Sequence, residues 1–306
     1  MSIRDIGPLR GSDEGLNHQI VDTFATVADS DYAWTEKIWV SIAKADGSIQ
    51  ATLGLGKYHN RGVIDGFGGV SRGREQWTVR GSRELESAPE LTGEDGFGFR
   101  DHSWGIRQGV GDEPADLASP PVTARSQARS RGVMKWTPSF FRRPDGTYYE
   151  ASIFLTGGGW NYASAYVNDD TGRQDRVQTA EPRMRYDPHT RFVLGGDLHL
   201  VMESGEERTI EVDAPGDSGF FLKTVGYGDW KGHKHGRFMG PLHLDGEHIA
   251  DCWDDEHLAL LGQFRDTPIR VREGDAVGYG IMESIITGEW PELGLTAESD
   301  RNVRNA

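Results

Sequence analysis

"WVSIAKADGSIQATLGLG", Trp39 to Gly56, holds two runs of alternating residues on either side of Ala45-Asp46-Gly47. A period of two sends successive side chains to opposite faces of an extended chain, and Asp-Gly accepts the left-handed backbone of a tight hairpin turn. The stretch reads as a β-hairpin. "SFFRRPDGTYYEASIFLTG", residues 139–157, repeats the device around Pro-Asp-Gly. In "WNYASAYVNDDTGRQDRV", Trp160, Tyr162, Ser164 and Tyr166 share one face before an Asp-Asp-Thr-Gly turn. "RMRYDPHTRFVLGGDLHLVMESGEERTIEV", from Arg183 onward, adds two or three strands punctuated by Asp-Pro and Ser-Gly. Helical stripes are scarce: only residues 14–29 and 254–264 have the spacing for short helices. With 41 glycines and turns at close intervals, the expected fold class is all-β, a barrel or a sandwich.

At 306 residues the chain exceeds the roughly 100–200 of a usual single domain. "GVGDEPADLASPPVTARSQARSRG", 109–132, is rich in Pro, Ser, Asp and Arg and lacks periodicity, which marks a linker or crossing loop. The expected organisation is therefore a first β-half over 1–108, the loop over 109–132, a second β-half over 133–295 and a tail over 296–306. There is no short-period repeat of the kind a solenoid or propeller needs. The balance of 33 basic against 48 acidic residues gives a formal charge of −15, which disfavours nucleic acid and anionic lipid surfaces as partners. The amino terminus shows no basic start followed by an apolar run, and no stretch has the roughly 18 apolar residues of a membrane span, so a soluble protein is expected. A single cysteine, Cys252, cannot form an internal disulfide and fits a reducing cytoplasm. The aspartates around it, in "ADCWDDEH", oppose thiolate formation. The sequence leaves a homo-oligomer open.

The densest chemistry lies in "GFGFRDHSWGIR", Gly96 to Arg107. As a strand, Phe99, Asp101, Ser103 and Arg107 would share one face and Arg100, His102, Trp104 and Ile106 the other, unless a glycine-assisted bulge re-aims the chain. Two readings stand. In one, the stretch is a structural ion-pair node, with Asp101 held by an arginine, His102 capping a loop carbonyl and Trp104 in the core. In the other it is an acid/base site in an aromatic, water-poor cavity, where burial raises a carboxyl pKa and a neighbouring histidine shares its proton.

The motif resembles the Gly-x-Gly-x-Arg-Asp-His-Ser-Trp-Gly-x-Arg signature of an uncharacterised bacterial branch related to the carotenoid hydratase (hydroxyneurosporene synthase) and AttH-like group. "YAWTEKIWVSI" (32–42), "GHKHGRFMG" (232–240) and "GYGIMES" (278–284) are similar to segments of the same group, so the likeness spans most of the chain. The resemblance implies two lipocalin-like β-barrel halves packed together around an apolar ligand cavity. It also implies a cofactor-independent hydratase, dehydratase or isomerase acting on a terpenoid, steroid or similar alcohol or alkene. Asp101 would then be the general acid or base and His102 its proton partner. Trp104 would wall the cavity or shield a cation, and Arg100 or Arg107 would fix the carboxylate. An arginine directly on Asp101 would instead lower its pKa and favour a base or a structural role. The rival class is a non-catalytic carrier of the same kind of molecule, with "RDHSWG" locking the halves together.

Other residues belong to the candidate set. His233 and His235 have the spacing of metal ligands on one strand face, but no carboxylate follows before His243, so no metal and no cofactor are expected; His235 is instead taken to reach the cavity. Glu283 shares a face with Tyr279 and Ile281 in what would be the last barrel strand, as a further acid/base or lining group. Phe99, Trp160, Tyr162 and Tyr166 offer aromatic contact, and His199 pairs with Asp197 as a second polar pair or a solvated strand. The Gly-rich strings at 62–73 and 155–163 lack the Lys and helix of a phosphate loop, and no Gly-x-Ser-x-Gly elbow is present.

Overall fold

The computed structural model describes the backbone of residues 34–85, 99–106, 133–142, 148–156, 161–168, 174–286 and 288–300. It describes the side chains of residues 35, 37–85, 177–286, 288–291 and 293–300. Residues 1–33 and 109–132, with the helix and linker expected there, lie outside them. In chain order the first strands are β1 (Trp34–Ala43), β2 (Ile49–Tyr58), β3 (Val63–Arg72), β4 (Glu75–Glu84) and β5 (Phe99–Ile106). Next come β6 (Val133–Arg142), β7 (Tyr148–Thr156), β8 (Asn161–Asn168), β9 (Gln174–Tyr186), β10 (Val193–Met202) and β11 (Glu207–Asp213). The last are β12 (Phe220–Phe221), β13 (Leu242–Ile249), β14 (Arg265–Glu273) and β15 (Ala276–Ile286), with one short helix, α1 (Asp255–Leu261), between β13 and β14. The fold is all-β, as expected. Among the described residues no helix is long and apolar enough to cross a membrane.

The hairpin that opens the sequence is β1–β2, with Ser41 opposite Thr52 and Ala43 opposite Gln50. Gly47 adopts φ 66°, the conformation that called for glycine, and Asp46 accepts the Ser48 amide at 3.0 Å to hold the turn. The strands form two antiparallel sheets. In one, β11, β10, β9, β8, β7, β6, β15 and β14 follow in order, and a further β11–β14 pairing closes these eight strands into a barrel; β12 adds to β14. Closure leaves the ring without an edge, and eight strands enclose a space that side chains can fill. Leu198, Leu200 and Met202 of β10, Ile210 and Val212 of β11, Ile269 and Val271 of β14, and Met282 and Ile286 of β15 form one buried cluster. They follow the two-residue period.

The other sheet is open and six-stranded, in the order β13-β4-β3-β2-β1-β5. Its last-made strand, β13, comes from beyond the barrel strands β6–β11, so the two sheets interleave along the chain. Its faces invert the usual pattern. Leu242 and Leu244 are 78% and 75% exposed, and Leu53 and Val79 are exposed too, while Gln50, Thr52, Gln76, Thr78 and Arg80 are buried. Buried polar groups need partners, and segment 218–225 of the barrel side supplies them. Gln76 accepts the Phe221 amide at 2.8 Å and donates to Thr224 Oγ1 at 2.8 Å. Ser218 Oγ accepts the Gly73 amide at 2.7 Å, and Ser71 Oγ that of Gly219 at 3.1 Å. A polar seam thus joins the two halves. Below it, Arg265 is stacked 4.3 Å from the Phe192 ring and 5.4 Å from Trp253.

Candidate functional site

The register of the six-stranded sheet lines up two cross-strand rows. One row runs Ser103, Lys37, Gly56, Asp65, Ser82, His243; the next runs Asp101, Trp39, Gly54, Phe67, Arg80, Asp245. Directly opposite residues in an antiparallel pair are close neighbours, so a row is a ready-made track of functional groups. The glycines in the middle make room: a Cβ on Gly56 would press on Asp65 Oδ1 at 2.8 Å, and one on Gly54 would enter the Phe67 ring.

Over these rows lies segment 226–240. Trp230 and His233 exchange two backbone hydrogen bonds, of 3.0 and 2.9 Å, across a two-residue turn in which Lys231 and Gly232 have φ of 52° and 88°. Positive φ at both central positions is the geometry of a type I′ turn. It delivers His233 and His235 to the sheet. His235 is 5% exposed, meets the Tyr227 ring edge-on at 4.5 Å and lies 5.9 Å from the Phe67 ring. Its Nδ1 is 3.6 Å from Asp65 Oδ2. That carboxylate is fixed by the Gly236 amide, which donates to Oδ2 at 2.7 Å, and by the Tyr58 hydroxyl, which donates to Oδ1 at 3.1 Å. Lys37 Nζ stands 4.7 Å above Tyr227 and 5.7 Å above Tyr58. A histidine, a carboxylate and a lysine thus meet among three aromatic rings.

Beside this group is a second one. His233 Nε2 lies 2.7 Å from Asp245 Oδ2, to which Arg80 Nη2 donates at 3.0 Å. Arg80 Nη1 donates to Glu247 Oε1 at 2.6 Å and to the Thr224 carbonyl at 2.5 Å, and Lys231 and the Trp230 indole also bind Glu247. The Arg80 hydrogen bond, helped by the Gly246 amide and outweighing burial, holds the Asp245 carboxyl down at about 2. Burial, then the Arg80 charge, lower the His233 imidazole in spite of Asp245, so it is neutral at neutral pH. The ring of His243 is 5.2 Å from that of His233. His243 Nε2, Ser82 Oγ and Arg80 Nε are buried around this cleft without a hydrogen-bond partner among the described residues. The cleft between sheet and segment has room for a few water molecules.

The residues singled out in the sequence are distributed as follows. His235 lies in the cleft. Phe99, Asp101, His102 and Trp104 stand on β5, where the register sets Asp101 opposite Trp39, His102 opposite Ile38 and Trp104 opposite Glu36. Glu283 is half-buried on β15, opposite Asp266 and Thr137, on the other face from the core residue Met282. Tyr279, on the same strand, is exposed and opposite Arg270. His199 lies on the outside of the barrel, with Nδ1 3.4 Å from Thr209 Oγ1 and Nε2 3.7 Å from Glu207. Tyr162 is on β8 opposite Phe154, and Arg107 and Trp160 lie outside the described residues. Sequence reasoning missed Asp65, Arg80, Asp245, Tyr58 and Tyr227. Asp65 hides in a glycine-rich string weighed only as a phosphate loop. Asp245 sits in "LHLDGEHI", 242–249, where His243, Asp245 and Glu247 alternate with apolar or small residues, a signal that could have found it had the apolar side not been taken for the buried one.

A model of a family of unknown function, DUF8625, matches residues 86–296. No curated protein matches the chain. Among solved structures, a putative AttH from Nitrosomonas europaea aligns at 10% identity with a TM-score of 0.40, covering 82% of this chain and 92% of that one. Kievitone hydratase from Nectria haematococca aligns at 8% identity with a TM-score of 0.30, covering 83% of this chain and 89% of that one.

Proposed function

We propose, from the premise that the chain belongs to DUF8625, a family of unknown function, that it is a proton-transfer enzyme of the hydratase, dehydratase or isomerase class, acting on a hydrophobic alcohol or alkene. The observation that carries the reading is the His235–Asp65 pair: an imidazole buried between the Tyr227 and Phe67 rings, with a carboxylate at 3.6 Å held by the Tyr58 hydroxyl and the Gly236 amide. A carboxylate this near the ring steadies its charge as a proton moves. The aromatic rings accept a hydrocarbon and shield positive charge developing on it. His235 gives or takes the proton, Asp65 is its positioning residue, and the reacting end of the substrate enters the cleft while its apolar body stays outside. Asp101 and His102, on β5 beside Trp39 and Ile38, are the candidates for the second proton-transfer group that adding or removing water requires. The likeness of the Gly96–Arg107 motif to the carotenoid hydratase group supports the same reaction class.

The test is incubation with a panel of terpenols, sterols and their alkenes in ¹⁸O-labelled or deuterated water, reading label in recovered substrate and product. Turnover should fall about 10²- to 10⁴-fold in His235→Gln and Asp65→Asn, the share a positioned acid or base supplies. Tight ligand binding without label exchange, or label exchange that survives both substitutions, would make the protein a carrier or move the chemistry elsewhere.

A further inference from the structure

The geometry points to a divalent transition-metal site of the zinc type, formed by His233, His243 and Asp245, next to the His235–Asp65 pair. One ligand atom from each of the three residues lies within 4.8 Å of the other two. Two imidazoles and one carboxylate, with the remaining positions open, form a donor set that binds zinc and its neighbours in the transition series. The three residues arrive by independent routes. His243 and Asp245 are alternate residues of β13 and so share its face, and His233 is carried in by the type I′ turn at Lys231-Gly232.

A second observation, separate from the clustering, argues that the cleft holds something. His243 Nε2 is buried without a hydrogen-bond partner, and its cross-strand neighbour Ser82 leaves its hydroxyl in the same state. Unpaired buried polar atoms are costly, and these two sit on facing residues at the rim of one cleft, where an ion or water can serve them. The surroundings are suited to one. Arg80 grips Asp245 from the sheet side, fixing the carboxylate as partners behind a ligand do, and Glu247 offsets the Arg80 charge at 2.6 Å. Some rearrangement is needed, since the ligand atoms, now within 4.8 Å of one another, would come to about 3.3 Å around an ion. His233 Nε2 and Asp245 Oδ2, now 2.7 Å apart, would open to about 3.3 Å to take up tetrahedral positions around an ion with bonds of about 2 Å. The expectation of no metal rested on the lack of a carboxylate between His235 and His243; the carboxylate follows His243 instead, one strand position on.

The test uses the full chain, stripped with a chelator and titrated with Zn²⁺, and with Co²⁺ for its visible absorption. One ion per chain should bind, and the cobalt spectrum should be that of a nitrogen- and oxygen-ligated site. Affinity should fall at least about 100-fold in His233→Ala and in His243→Ala, since losing even a supporting contact costs 10- to 100-fold. His235→Ala should keep the ion, which separates this site from the proton-transfer reading: loss of turnover in His235→Ala with metal retained upholds both. Wild-type protein that binds less than one equivalent overturns the site whatever the variants do. So does binding that survives Asp245→Asn and His243→Gln in folded protein.

Discussion

Cys252 is 2% exposed and packs with Phe192, Phe221, Trp230 and Ile249. Burial pushes its thiol up to about 12, with Asp251 and Asp254 adding to the effect and Arg265 opposing it. The native protein should therefore resist a thiol-alkylating reagent at neutral pH and react on unfolding, a difference that mass spectrometry of quenched samples reads directly; rapid modification of the folded chain would contradict the packing. Glycine makes the sharper case at this scale. A Cβ on Gly69 would stand 2.5 Å from the Trp77 carbonyl oxygen and enter the Phe220 ring, whereas one on Gly81 meets nothing nearer than 3.6 Å. Gly69→Ala should lower stability by about 1–3 kcal/mol and Gly81→Ala should leave it within about 0.5 kcal/mol, as read from denaturant midpoints. Equal effects would mean that the seam between the halves is looser than described. The role of Gly69 was not legible in the sequence, because "GVIDGFGGVSRG" shows only that glycines are many. Which of them face a ring depends on contacts with residues some 150 positions away.

Turns and caps can be read locally, and here local reading worked. The Asp-Pro at 187–188 ends β9, and the Asp187 carboxylate accepts the amides of Thr190 at 2.7 Å and His189 at 3.0 Å, together with the Thr190 hydroxyl at 2.9 Å. Burial raises the carboxyl, but these hydrogen bonds outweigh it and hold the pKa below the ordinary aspartate value of 3.8. A carboxyl held lower in the folded than in the unfolded chain contributes stability that is fully present above 3.8 and is lost as the pH falls through the folded value. The advantage of wild type over Asp187→Asn should thus be present near neutral pH and shrink below 3.8, measured as the gap between their urea midpoints. Asp254 caps α1 through the His257 amide at 2.9 Å, so Asp254→Ala should cost about 1 kcal/mol. The strand that escaped reading was β13. Its leucines face out and its histidine, aspartate and glutamate face in, so a rule that turns apolar residues toward the core assigns it to the wrong side or to a loop. The site was half legible for that reason: His235 stood out by its motif, whereas Asp65 and Asp245 sit in stretches whose pattern is inverted or masked by glycine.

For the molecule as a whole, all-β architecture followed from the hairpins and the density of turns, but the closure of eight strands and the sharing of β13 are long-range pairings that no local pattern encodes. The barrel core is conventional, and Leu198→Ala, removing a fully buried side chain, should cost about 2–5 kcal/mol. The six-stranded sheet is different. Its buried face is largely polar and finds partners in segment 218–225, and among the described residues its own apolar clusters are small, Ile38 with Val40 and Leu55, and Tyr58 with Val63. The two halves should unfold in one transition, with tryptophan fluorescence and far-ultraviolet circular dichroism coinciding. Gln76→Ala, which strands the Phe221 amide, should shift both together by about 1–3 kcal/mol. Two separated transitions in the wild type would show that the seam does not couple them.

The position of β13 in the chain also sets a timetable for the ribosome. Strands β1 to β5 are translated first, but their sheet gains its outer strand only after residue 249 has left the exit tunnel, with β14 and β15 of the barrel still to follow. The polar face of the nascent sheet lacks the cover of segment 218–225 until that segment emerges, and lacks His243 and Asp245 at the end of its rows until β13 follows. Strands β6 to β11 are thus made before the earlier-started sheet is completed, which departs from the usual order in which amino-terminal units finish first, and the barrel itself closes only once β14 and β15 follow. Translation arrested before residue 242 would leave a chain with neither the cleft nor a settled first half, whereas arrest after residue 249 would already hold every residue assigned to the site.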